Sequence, residues 1–117
     1  MTDKKRVAIL ISGRGSNMAA LIYAAKAEDC PFEIVLVTGD RPDAPGLRVA
    51  EAEGVPVARF QFNGKAELFS MLDRLLSDSA ADYVALAGFM RIIPADFIAR
   101  RAGRIVNIHP SLLPRYK

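Results

Sequence analysis

The sequence predicts an α/β fold built on a twisted parallel sheet, and three observations predict it. Short runs that are apolar at every position alternate with segments of helical period. A glycine-rich turn, Ser12-Gly13-Arg14-Gly15-Ser16-Asn17, stands between the first such run and the first helix. The polar residues with the most chemical capacity, Asn107 and His109, stand at the end of another such run, where a parallel sheet presents its carboxyl ends.

Each element has its own reason. Residues 6–11 (Arg-Val-Ala-Ile-Leu-Ile) read as a strand buried on both faces, since they do not alternate. Residues 16–28 read as a helix with Met18, Leu21, Ile22 and Ala25 on one stripe, capped by Ser16 or Asn17. Residues 32–38 are a second strand. Residues 40–45 hold two prolines and form a loop, followed by a short helix over 46–53 that Gly54 closes. Residues 56–60 read as a third strand, placed at an edge by Pro56. Residues 65–76 are a helix with Leu68, Phe69, Leu72, Leu75 and Leu76 inward. A fourth strand covers 82–87, a short helix 94–101 with Pro94 near its start, and a fifth strand 104–109. Strands separated by helices of these lengths make Rossmann-like βαβ units.

One domain fits 117 residues, half apolar and a quarter charged. No apolar run approaches a membrane span, and the basic start is not followed by a signal-peptide layout, so a cytoplasmic setting is expected. The lone Cys30 excludes an internal disulfide. One His and one Cys supply too few ligands for a metal site, so none is expected. The net charge is +3, with five Arg or Lys and no acid from 97 to 117. That run reads as a solvated rim or an anion site. Nucleic acid fits less well, because no aromatic residues interleave with the charges.

The Gly13–Asn17 turn can hold a phosphate. Glycines let the backbone approach a ligand, the helix start offers unpaired N–H groups, and Ser16 and Asn17 add donors. The bland alternative is a tight turn with a serine cap. A dinucleotide site competes: Gly13 and Gly15 match the first two glycines of its fingerprint, and Asp40 could serve as its ribose-binding acid. Position 18 is Met, however, where a third glycine belongs. Residues 88–94 (Gly-Phe-Met-Arg-Ile-Ile-Pro) admit two readings, a slot for a flat ring or ordinary core. Asn107 and His109 lie two apart and share a strand face. A lone histidine there is more often structural. A second polar group on the same buried face calls for a partner, and a ligand supplies one: Asn can donate to a developing oxyanion and His can move a proton. The acids, among them Asp40, Asp43, Asp82 and Asp96, offer no assignable partner for the imidazole.

Gly13-Arg-Gly-Ser-Asn17, Leu86-Ala-Gly-Phe-Met-Arg-Ile92 and Asn107-Ile-His-Pro-Ser-Leu-Leu-Pro114 occur in order. With them the chain resembles the phosphoribosylglycinamide formyltransferase family over its whole length. The Asn-x-His-Pro-Ser segment is shared with methionyl-tRNA formyltransferase and formyltetrahydrofolate hydrolase; the Gly-rich Ser-Asn loop favours the glycinamide ribonucleotide enzymes. The resemblance implies the formyltransferase fold and transfer of a formyl group from 10-formyltetrahydrofolate to the amine of glycinamide ribonucleotide in purine biosynthesis. It implies that Gly15, Ser16 and Asn17 hold the phosphoribosyl end. Met90, Arg91, Ile92 and Ile93 would meet the pterin, with Lys65 near the folate. Asn107 would steady the formyl oxygen, and His109 would donate a proton and stabilise charge. The partners it implies are glycinamide ribonucleotide and folate, with no nucleic acid or membrane; monomer and homodimer both stay open. The alternatives are formyl transfer or hydrolysis on another substrate and a nucleotide-binding module without chemistry.

Members of that family continue further, with an aspartate that pairs with the histidine and further strands of the sheet. The resemblance therefore reads residues 1–117 as the phosphate-binding amino-terminal part of a formyltransferase domain, its sheet incomplete on the carboxyl-terminal side. Such a part is expected to keep a phosphate site, to have little transferase activity alone, and to expose apolar surface on its fifth strand.

Overall fold

A computed structural model of the chain describes residues 4–108. The elements run β1 (Lys5–Ile11), α1 (Ser16–Ala25), β2 (Phe32–Gly39), α2 (Pro45–Ala52), α3 (Gly64–Asp78), β3 (Tyr83–Leu86), α4 (Ala95–Ala99) and β4 (Ile105–Asn107). The strands form one sheet in the order β2-β1-β3-β4, and every pairing is parallel. This is the expected α/β architecture. His109 lies outside the described residues, as do residues 110–117.

The all-apolar β1 has a plain cause. Ile9 and Ile11 face one layer, made by Met18 and Ile22 of α1 and Leu47 and Ala50 of α2. Ala8 and Leu10 face the other, made by Leu68, Phe69, Leu72 and Leu76 of α3 and Phe97 of α4. A strand between two helical layers has no face to leave polar. In the second layer the Phe69 ring stands edge-on to Phe97, with centroids 5.2 Å apart, a favoured aromatic geometry.

Four local expectations change. Helix α1 ends at Ala25, because residues 26–29 are exposed and give the helix nothing to pack. Its N-cap is Gly15, with φ 73° and ψ 37°, and no side chain caps it; Ser16 is already helical. Residues 56–60 form no strand. Pro56 has no N–H to donate, and the segment touches β2 through one parallel bridge, Val37 to Val57. There Val37 N–H donates to Pro56 C=O at 2.9 Å and Ala58 N–H to Val37 C=O at 3.1 Å. The last strand is not buried. Val106 is 46% exposed and Asn107 is exposed, because β4 pairs only with β3 among the described residues. The apolar surface expected on this strand is present. Val106 and Ile108 border an open apolar cleft of about 270 Å³ with Val7, Leu21, Tyr83 and Ala85.

Candidate functional site

The carboxyl ends of β1, β2 and β3 converge. Their following residues, Ser12–Asn17, Arg41 and Ala87–Gly88 with Met90, line a cleft of about 340 Å³. The left-handed Gly15 turns the chain directly into α1. The first helical bond is Ala19 N–H to Gly15 C=O at 2.8 Å. The N–H groups of Ser16, Asn17 and Met18 precede it and have no partner within the helix. With no side-chain cap to take them, they suit an anion. The loop has a backstop: Gly46 N–H, in the first turn of α2, donates to Gly13 C=O at 3.0 Å. A Cβ on Gly46 would stand 2.8 Å from Arg14 O, so the approach requires glycine.

Arg41 is the cation that the sequence reading missed. It is exposed, follows β2 by two residues and lines the same cleft; its only ion pair among the described residues is a loose one to Asp43, at 3.8 Å. The signal was available, since neighbouring parallel strands bring their carboxyl ends together.

Asp40 is not free to hold a ribose. It is 8% exposed and both of its oxygens are engaged. Ser12 Oγ donates to Oδ1 at 2.7 Å, and Arg91 Nε donates to Oδ2 at 2.8 Å. Met18 is fully buried beneath the loop where a dinucleotide fingerprint has its third glycine.

The segment after β3 divides between its two readings. Phe89 and Ile93 pack against the α3 layer, whereas Met90 and Ile92 are 80% and 81% exposed. The Arg91 guanidinium lies over the Phe62 ring, 5.3 Å from its centroid. Lys65 opens a neighbouring cleft with Phe69, Pro94 and Asp96. It therefore sits beside the end of the 88–94 segment and outside the Gly13 cleft.

Asn107 ends β4 in register with Leu86, and Ile108 N–H donates to Leu86 C=O at 2.9 Å. It is thus at the same end of the sheet as the Gly13 and Gly88 turns, one strand beyond β3. The structure places Gly15, Ser16, Asn17 and Met90 together around one cleft and sets Asn107 on its flank.

Two of the late basic residues, Arg100 and Arg101, are neutralised. Arg101 Nη1 lies 2.6 Å from Asp73 Oδ1, and Arg100 pairs with Asp73 and Asp96. The hydrogen bond that Arg100 donates to Asp73 raises the pKa of its guanidinium above the ordinary value. The solvated-rim reading fits Arg100, whose side chain is half exposed, whereas Arg101 is mostly buried with its guanidinium 4.4 Å from the Phe97 centroid. Among the described residues no three His, Cys, Asp or Glu side chains gather as metal ligands, and no helix is long and apolar enough to cross a membrane.

Comparison with known proteins agrees with this geometry. The profile of the formyl transferase family matches residues 5–117. The trifunctional purine biosynthetic protein adenosine-3 of Gallus gallus is 43% identical over 119 residues, covering 99% of this chain and 12% of that protein. The phosphoribosylglycinamide formyltransferase of Haemophilus influenzae is 40% identical over 115 residues, covering 96% of this chain and 54% of that enzyme. The crystal structure of phosphoribosylglycinamide formyltransferase from Brucella melitensis superposes with a TM-score of 0.87 at 45% identity, over 97% of this chain and 61% of that one. The chain thus spans a little over half the length of the two phosphoribosylglycinamide formyltransferases and about an eighth of the trifunctional protein.

Proposed function

The chain belongs to the formyl transferase family, and from that premise we propose that it acts in transferring the formyl group of 10-formyltetrahydrofolate to the amine of glycinamide ribonucleotide. The observation that carries the proposal is the cleft at the strand ends: unpaired N–H groups at the start of α1, and Arg41, facing the turn after β3. A phosphate monoester needs such donors, and the amine it carries must then meet a formyl donor seated beside it.

In this reading Gly15, Ser16 and Asn17 hold the phosphate through backbone N–H and side-chain donors, assisted by Arg41. The exposed Met90 and Ile92, with Arg91 and Ile93, offer the pterin an apolar contact and backbone groups along its edge. Lys65 is available to the acidic tail of the folate. The substrate amine attacks the formyl carbon, the new C–N bond forms, and the carbonyl oxygen becomes an oxyanion. Asn107 donates to that oxyanion. Collapse breaks the bond to the folate nitrogen, which takes a proton from His109, and the imidazole regains one from the former amine nitrogen, leaving a neutral amide. The products are the formylated amide and tetrahydrofolate. A cytoplasmic setting belongs to the same proposal.

The competing dinucleotide module is disfavoured because Asp40 is occupied by Ser12 and Arg91. The test is formyl transfer assayed by product separation, with formate measured in parallel. Little formylated glycinamide ribonucleotide is expected from residues 1–117 alone, and Asn107→Ala is expected to lower even that about 100- to 1,000-fold. Formate in place of the formylated amide would assign hydrolysis instead. A chain that neither binds the ribonucleotide nor transfers formyl from the folate would refute the proposal.

A further inference from the structure

The turn after β1 and the segment after β3 each carry one half of the proposed site, and a single buried carboxylate joins them. Asp40, at the end of β2, accepts Ser12 Oγ–H at 2.7 Å and Arg91 Nε–H at 2.8 Å. Ser12 has one hydroxyl proton, and Asp40 takes it. The Ser12 oxygen is then left as an acceptor, and Met90 N–H fills it at 2.9 Å. The chain of donors has one direction: Met90 N–H to Ser12, Ser12 O–H to Asp40, with Arg91 closing on the other carboxylate oxygen. These residues come from three separate strand ends, with Met90 and Ser12 78 positions apart in sequence.

We infer that Asp40 is a positioning residue: it fixes the turn that carries Met90 and Arg91 against the turn that receives the phosphate. A buried charge is an expensive way to stabilise a core, and packed apolar side chains do so at least as well. What a carboxylate adds is direction, two acceptors that orient a hydroxyl and a guanidinium at once. The value of that direction rests on the two-substrate reading proposed above. A reaction between two bound molecules needs its reacting atoms aligned, and an error of about 1 Å costs on the order of 100-fold in rate.

The experiment is residue-resolved amide hydrogen exchange on the 117-residue chain and on Asp40→Asn, with Arg91→Lys as the conservative control. An asparagine can still accept from Ser12 through its carbonyl oxygen, but its NH₂ group cannot accept from Arg91. Exchange at Met90 N–H is expected to rise about tenfold or more in Asp40→Asn, the factor that about 1.4 kcal/mol corresponds to. The amides of Ile9 and Leu10 are expected to stay within about twofold, and Arg91→Lys to retain most of the Met90 protection. Unchanged exchange at Met90 in Asp40→Asn would overturn the inference. So would a uniform loss at Met90, Ile9 and Leu10, because that is what a merely structural role produces. Titration with ribose 5-phosphate separates this from the reading on which it rests. If the wild-type chain does not bind it, the phosphate site fails, while the exchange data still decide the role of Asp40.

Discussion

The β1–β2 side of the sheet and the β4 edge are made of similar residues and end in opposite states. From Ala8 to Ile11 every residue of β1 is fully buried. In β4, Ile105 is half-buried, Val106 is 46% exposed and Asn107 is exposed. Ala8 to Ile11 and the pair Ile105-Val106 are all β-branched or apolar, without alternation. The difference lies in their neighbours. β1 is paired on both edges and covered on both faces, whereas β4 pairs only with β3 and borders the open apolar cleft. Burial is a property of a strand's place in the sheet. The consequence bears on the proposed function: the cleft proposed for the phosphate rises from the packed strands, and Asn107 stands on the strand with an open face.

Substitutions on the two sides sharpen that contrast. Ile9→Ala is expected to cost the most, about 4 kcal/mol, because it empties a fully buried position against the α1–α2 layer; urea denaturation with an unchanged slope reads it. Gly39→Ala comes next, at about 3 kcal/mol. A Cβ there would stand 1.9 Å from Ile11 O, the backbone of its paired residue, and something must shift. Arg41→Ala should leave the denaturation midpoint alone, since its side chain is exposed. It should weaken ribose 5-phosphate about tenfold by calorimetric titration, the value of one charge-assisted bond. Val106→Ser is the smallest, within about 0.5 kcal/mol of wild type, and should reduce association seen by light scattering. If Val106→Ser cost as much as Ile9→Ala, the contrast between packed and open strands would be broken.

Particular residues show how much of this was legible beforehand. The run at 6–11 declared a strand buried on both faces, and Gly13 to Asn17 declared a turn into a helix; both stand as read. The cap was misassigned because Ser16 and Asn17 have good capping side chains, yet the left-handed Gly15 completes the turn one residue earlier. The segment at 56–60 has strand composition and makes only one bridge, since whether it pairs further depends on what lies beside it. Asp40 looked available for a ribose because its partners, Ser12 and Arg91, lie 28 and 51 positions away. Arg41 was passed over because its signal is its place just past the carboxyl end of β2, which tells only once the strands are set side by side. His109, central to the sequence reading, lies outside the described residues.

By itself the sequence determined the alternation of strand and helix, the glycine-rich turn and the family resemblance. These depend on residues within a few positions of one another, through backbone conformation and the periods of 2 and 3.6. Only the tertiary structure decided that β3 lies beside β1, and that single placement brings Met90 to Ser12, Arg91 to Asp40 and Asp82 to Arg6. It also decided which apolar strand became core and which stayed open. Those outcomes follow from strand order, and strand order is settled by burying the most apolar surface over the whole chain, which no local window of residues contains.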